Sequence, residues 1–102
     1  MPSIEGSDVR KLVVACDAGM GSSVMLASTL RGQLKKQNVT VEHTPVNSIP
    51  DDADLVVVHA GLADRARGVV PGKPVIAFQV FLGDPAVARA VDAIKNGKDI
   101  DG

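Results

Sequence analysis

Leu12-Val13-Val14-Ala15-Cys16-Asp17-Ala18-Gly19-Met20-Gly21-Ser22-Ser23 decides the fold of this chain. An apolar strand runs into the only cysteine, a short Gly/Ser loop follows, and a helix begins. A strand–loop–helix turn of this kind sets the thiol inside a cup of backbone N–H groups. The first amides of a helix have no intrahelical acceptor, and the positive end of the helix dipole lies among them. Such a cup binds anions. The same field favours a thiolate, so the Cys16 thiol is expected below its reference pKa of roughly 8.5. A nucleophilic sulfur and a phosphate-sized anion site would share one loop.

Outward from this stretch, apolar runs alternate with helical patterns. Val9 to Ala15 reads as a buried strand. A first helix is expected from near Ser22 to about Gln37, with Val24, Ala27, Leu30 and Leu34 as its buried face. Val24 and Met25 are read as core. Val39-Thr40-Val41 is a second, β-prone run, and Asn47 to Ala53, with Pro50 and two aspartates, reads as a loop. Leu55-Val56-Val57-Val58 is apolar throughout, as a strand covered on both faces must be. Ala60 to Gly68 suits a short helix, and Val75-Ile76-Ala77-Phe78 a fourth strand. Asp84-Pro85 starts the last helix, an Asp cap followed by Pro at the first helical position. Val87, Val91 and Ile94 form its stripe, and Gly97 ends it. The expected class is α/β: a three-layer domain over residues 9–97, with a four-stranded parallel sheet in order 2-1-3-4 and helices on both faces. Residues 1–8 read as a flexible leader and 98–102 as a polar tail. In such sheets ligands bind beyond the carboxyl ends of the strands, at the switch point where Cys16 falls.

Composition narrows the functions. The chain has 102 residues, 45% of them apolar, and a net charge of −1, which leaves no basic footprint for nucleic acid. Phe78 and Phe81 are the only aromatics, too few for single strands that bind by stacking. One cysteine excludes an internal disulfide and suits a reducing compartment. No apolar run approaches the ~20 residues of a membrane span, and no signal-peptide pattern opens the chain. A cytoplasmic location is expected, with no direct membrane insertion. No His/Cys/carboxylate cluster has metal-ligand spacing, so neither metal nor other cofactor is expected.

Three phosphate-binding patterns fail in instructive ways. A nucleotide P-loop needs Gly-Lys-Ser/Thr, but Gly21 precedes Ser22. The dinucleotide fingerprint would place Val24 where a third small residue belongs. Cysteine phosphatases use Cys, five residues, then Arg; here Ser22 occupies the arginine's place. The fold and loop thus look like the low-molecular-weight tyrosine phosphatase and flavodoxin-like architecture with the clamp removed. A thiolate cradled by neutral dipoles suits holding a phosphoryl group and passing it on. The charge of a loose phosphoryl-transfer transition state rests on three equatorial oxygens, which amides from Ala18 to Ser23 could hold. Gly19 and Gly21 allow the tight turn, and the Ser22 and Ser23 hydroxyls can cap the helix and donate to phosphate. Asp17 is expected to point away and pin the loop.

Cys16-Asp17-Ala18-Gly19-Met20-Gly21-Ser22-Ser23 resembles the active-site loop of the mannitol-type enzyme IIB domain of the bacterial phosphoenolpyruvate-dependent sugar phosphotransferase system. The likeness extends through Asn47 to His59, Leu62 to Ala66 and Phe81 to Asp84, nearly the whole chain. The resemblance implies a protein-phosphocysteine–sugar phosphotransferase. Cys16 would take a phosphoryl group from a histidine of a IIA protein and give it to a sugar or sugar alcohol held by a membrane IIC component. Residues Asp17 to Ser23 would form the phosphate loop. The implied partners place the chain peripherally at the inner membrane face through IIC. It is expected to be a monomer. Ala60-Gly61 after His59 depart from the family's charged pair, which bears on the substrate rather than the chemistry.

His59, at the end of the third strand, is a candidate neighbour of the phosphate, with a surface histidine as the equal alternative; His43 carries less support. Arg65 and Arg67 read as a solvated helix face. Met20, Val24 and the neighbours of His59 and Phe81 are expected to surround the loop as a docking surface. Two other functions fit the pattern: a small cysteine-dependent phosphatase without its usual arginine, and a regulatory module that senses phosphate.

Overall fold

The computed structural model describes residues 3–16, 21–79 and 84–101. Strands β1 (Ser3–Glu5), β2 (Lys11–Cys16), β3 (Thr40–Pro45), β4 (Leu55–His59), β5 (Val75–Phe78) and β6 (Asp99–Asp101) alternate with helices α1 (Gly21–Gln33), α2 (Ala63–Val69) and α3 (Pro85–Asn96). The four middle strands form a sheet in the order β3-β2-β4-β5, every pair parallel. Counted along the chain, these are the second, first, third and fourth strands of the sequence reading, so the order 2-1-3-4 holds.

Strand alternation divides the interior in two. Leu12 and Val14 of β2 join a core with Leu26, Ala27 and Leu30 of α1 and Val87, Ala90, Val91 and Ile94 of α3. Val13 and Ala15 face the other way, into a core with Val56 and Val58 of β4 and Ala63 and Ala66 of α2. Successive side chains of a strand point to opposite faces, so a strand sandwiched between helix layers must be apolar at every position. That is why β2 and β4 read as unbroken apolar runs.

Three differences from the sequence pattern have physical causes. The first helix ends at Gln33, and Lys35–Gln37 tightens into a 3-10 turn that Asn38 closes in the left-handed region, at φ 57°. Val24 and Met25 are 49% and 59% exposed, so neither is core. The buried stripe of α1 is carried by Leu26, Ala27 and Leu30 and continues to Leu34; at 100° per residue Val24 lies roughly 100° from its centre. The ends of the chain, read without strands, pair instead: β1 runs antiparallel to β6, with Ile4 opposite Ile100. Ile100 is buried against α3 and β5, and Ile4 packs against the same core.

Candidate functional site

Cys16 is the last residue of β2 and only 4% exposed, yet neither apolar cluster includes it. Its sulfur meets two polar partners. Sγ lies 2.9 Å from His43 Nε2 and 3.7 Å from the carbonyl oxygen of Thr44. Both partners belong to β3, the strand at the sheet edge beside β2. The register explains the meeting: Val14 pairs with His43 and Cys16 with Pro45. In a parallel ladder paired residues share a face, so Val14, Cys16 and His43 all point to the side that α1 covers. A carbonyl oxygen accepts and a thiol donates weakly, so the thiol proton has two acceptors within reach.

The helix that follows completes the setting. Residues 17–20 connect β2 to α1, whose helical backbone starts at Gly21 and includes Ser22 and Ser23. No acidic side chain occupies the first turn of α1, so nothing there offsets the positive end of its dipole. The assignments to Asp17, Ala18, Gly19 and Met20 lie outside the described residues, as does that to Phe81.

His59 takes a different place. It is the last residue of β4, one position past Val58, the partner of Ala15. Its Nδ1 accepts a hydrogen bond from the Gly61 amide at 3.1 Å, and its ring meets Phe78 edge-on at 5.8 Å. These contacts make it a cap of the turn at Ala60–Leu62. The histidine that contacts the sulfur through a described hydrogen bond is His43. Nothing in the local sequence marks it, because it lies 27 residues from Cys16 and reaches it only through the β2–β3 pairing. The detectable signal was register: a polar residue in the strand beside the cysteine, on the same face. Asp84 lies beyond the end of β5, where its Oδ2 accepts the Gln79 amide and its Oδ1 caps α3 through the Ala86 amide. Among the described residues no group of three or more His, Cys, Asp or Glu could hold a metal ion.

A buried thiol 2.9 Å from an imidazole, at the end of the strand that precedes α1, is an arrangement suited to nucleophilic sulfur chemistry. A family model described as "PTS system, Lactose/Cellobiose specific IIB subunit" matches residues 11–96. The chain belongs to the phosphotransferase-system IIB family. Individual IIB-containing relatives agree. The "PTS system mannitol-specific EIICB component" of Halalkalibacterium halodurans is 39% identical over 90% of this chain and 20% of the relative. That of Geobacillus stearothermophilus is 43% identical over 85% of this chain and 19% of the relative. The "PTS system mannitol-specific cryptic EIICB component" of Escherichia coli (strain K12) is 43% identical over 78% and 17%. The chain thus spans about a fifth of the length of the curated relatives it matches. The IIB match begins with β2 and ends with α3, so it takes in the cysteine, its histidine neighbour and the whole parallel sheet.

Proposed function

We propose that this IIB chain is the phosphocysteine carrier of a mannitol-type phosphotransferase system. Cys16 takes a phosphoryl group from a histidine of a IIA protein and delivers it to a sugar alcohol bound by a membrane IIC component. The observation that carries this reading is the position of Cys16: buried at the end of β2, turned to polar partners, and followed after residues 17–20 by the amides of α1. Mannitol is favoured over other sugars by the names of relatives about 40% identical to the chain, against the lactose/cellobiose wording of the family description. Asp17 to Ser23 cradle the phosphoryl oxygens, and His59, held by the Gly61 amide, shapes the rim of the site. The relatives' EIICB names unite C and B components in one protein, which supports IIC as the onward partner. No helix among the described residues is long and apolar enough to cross a membrane. The chain works as a monomer on the cytoplasmic side, against IIC. Val24 and Met25, exposed on the first turns of α1 beside the loop, offer an apolar patch for transient docking.

Intact-mass measurement after incubation with a phosphorylated IIA protein tests the carrier role. One added phosphoryl group on the wild type, absent from Cys16→Ser, is the expected result. An unlabelled wild type across mannitol-type donors, or a Ser variant labelled equally, overturns it. Aryl phosphates are expected to turn over at no more than a trace, since Ser22 stands where a phosphatase carries its arginine.

A further inference from the structure

We propose that His43 holds the proton of the Cys16 thiol, so that the sulfur rests as a thiolate paired with an imidazolium and meets its phosphoryl donor ready to attack. This goes beyond the carrier assignment and, in its phosphoryl-transfer step, rests on it. The Sγ–Nε2 distance of 2.9 Å is short for a contact to sulfur. The competing acceptor, the Thr44 carbonyl, is 3.7 Å away and cannot keep a proton. Cys16 is 4% exposed, so bulk water is a poor partner for the sulfur, and among the described residues His43 is the side chain in hydrogen-bond reach that can take the proton. Among the described residues, the charges carried by β3 and α1 have other partners. Glu42 pairs with Val13, so it lies on the opposite face of the sheet, where Lys11 bridges it and Asp52. Arg31 of α1 donates through Nε to the Val41 carbonyl, further back along β3. No ion pair to His43 is present among the described residues.

The thiol proton passes to His43 Nε2. The sulfur electron pair forms the S–P bond while the P–N bond of the donor phosphohistidine breaks. The P–N electron pair stays on the donor ring, which leaves as neutral imidazole because its other nitrogen is protonated. The proton remains on His43 as imidazolium beside the phosphorylated sulfur. Because His43 sits on a strand of the sheet, its ring is held by the same register that places the cysteine.

The absence of Trp and Tyr makes the ultraviolet band of a single thiolate readable in this chain. The experiment compares wild type, His43→Asn and, as a blank, Cys16→Ser, all unphosphorylated and at neutral pH. Wild type is expected to show a thiolate band that His43→Asn lacks, and to react with iodoacetamide about tenfold or more faster, as for a positioned proton acceptor. Equal bands and equal rates overturn the proposal. Should His43→Asn fail to fold, judged by circular dichroism, the nitrogen NMR shifts of the His43 ring in wild type decide. Both nitrogens protonated, reverting to a neutral ring in Cys16→Ser, is the expected pattern; a neutral ring in wild type overturns it. No donor protein enters these measurements. A thiolate band in a chain that no IIA protein phosphorylates would therefore sink the carrier reading and leave the pair standing.

Discussion

Asp84 is the one charged side chain buried among the described residues, and two backbone amides donate to it. Oδ1 accepts the Ala86 amide and Oδ2 the Gln79 amide, both at 2.8 Å. The first bond caps α3 and was readable from Asp84-Pro85. The second ties the end of β5 to the start of α3 across residues 80–83, and no local pattern announces it. An N-cap is worth about 1 kcal/mol, and a hydrogen bond to a charged group about 1.5–3 kcal/mol. Asp84→Ala is expected to cost about 2–3 kcal/mol in urea denaturation and to raise amide exchange at Gln79. Unchanged exchange there would show that the bridge does not hold the strand end. Cys16 and His43 divide the same way: the cysteine declares itself by its loop, whereas its imidazole neighbour is visible only after strands pair.

The last helix was the most legible element. Its cap, its Val87, Val91 and Ile94 stripe and its stop at Gly97, which adopts φ 69°, all follow from local chemistry. A residue without a Cβ costs little in that left-handed position. The short terminal strands were illegible, because three residues of β1 and three of β6 carry no period long enough to detect. What holds them is contact with α3. A Cβ on Gly6 would overlap the Ala93 carbonyl, and the Gly6 amide donates to the Lys98 carbonyl. The chain entering β2 therefore presses against the helix backbone, and Gly6→Ala is expected to cost about 1–3 kcal/mol by overpacking. Calorimetry checks this; a melting temperature equal to wild type would mean that the terminal sheet is dispensable. The length of β3 shows the same dependence. Val39-Thr40-Val41 is β-prone, but the strand runs on through Glu42, His43 and Thr44 to Pro45 because β2 beside it extends to Cys16. A proline is tolerated at that end because β3 is an edge strand.

At the scale of the whole molecule, the strongest charge cluster among the described residues joins β2, β3 and the turn before β4. Lys11 bridges Asp52 at 2.9 Å and Glu42 at 3.1 Å on the α2 side of the sheet. The hydrogen bond from Lys11 holds the Asp52 carboxyl below its ordinary value, and the bonds to Asp52 and then Glu42 hold the Lys11 ammonium above its own. The depressed carboxylate adds stability at pH values above the unfolded aspartate value. That contribution is lost as pH falls through the lower folded value. The raised ammonium adds stability below the unfolded lysine value, lost as pH rises through the higher folded value. Asp52 is exposed and Lys11 partly so, and the effects are therefore small and screened by salt. Lys11→Met is expected to flatten the dependence of denaturation midpoint on pH at both extremes in low salt, with the difference from wild type vanishing in high salt. A difference indifferent to salt would point to lost packing of the lysine stem instead.

By itself the amino-acid order determined the strand–cysteine–helix turn, the parallel α/β plan, the caps of the last helix and the family, since each is written in residues close together in the chain. Tertiary structure alone decided which histidine meets the sulfur, how far β3 extends, and that the two ends of the chain pair. Short-range patterns record backbone preference and burial. Which side chains share a face across neighbouring strands depends on register, and register is settled only when both faces of the sheet are buried at once.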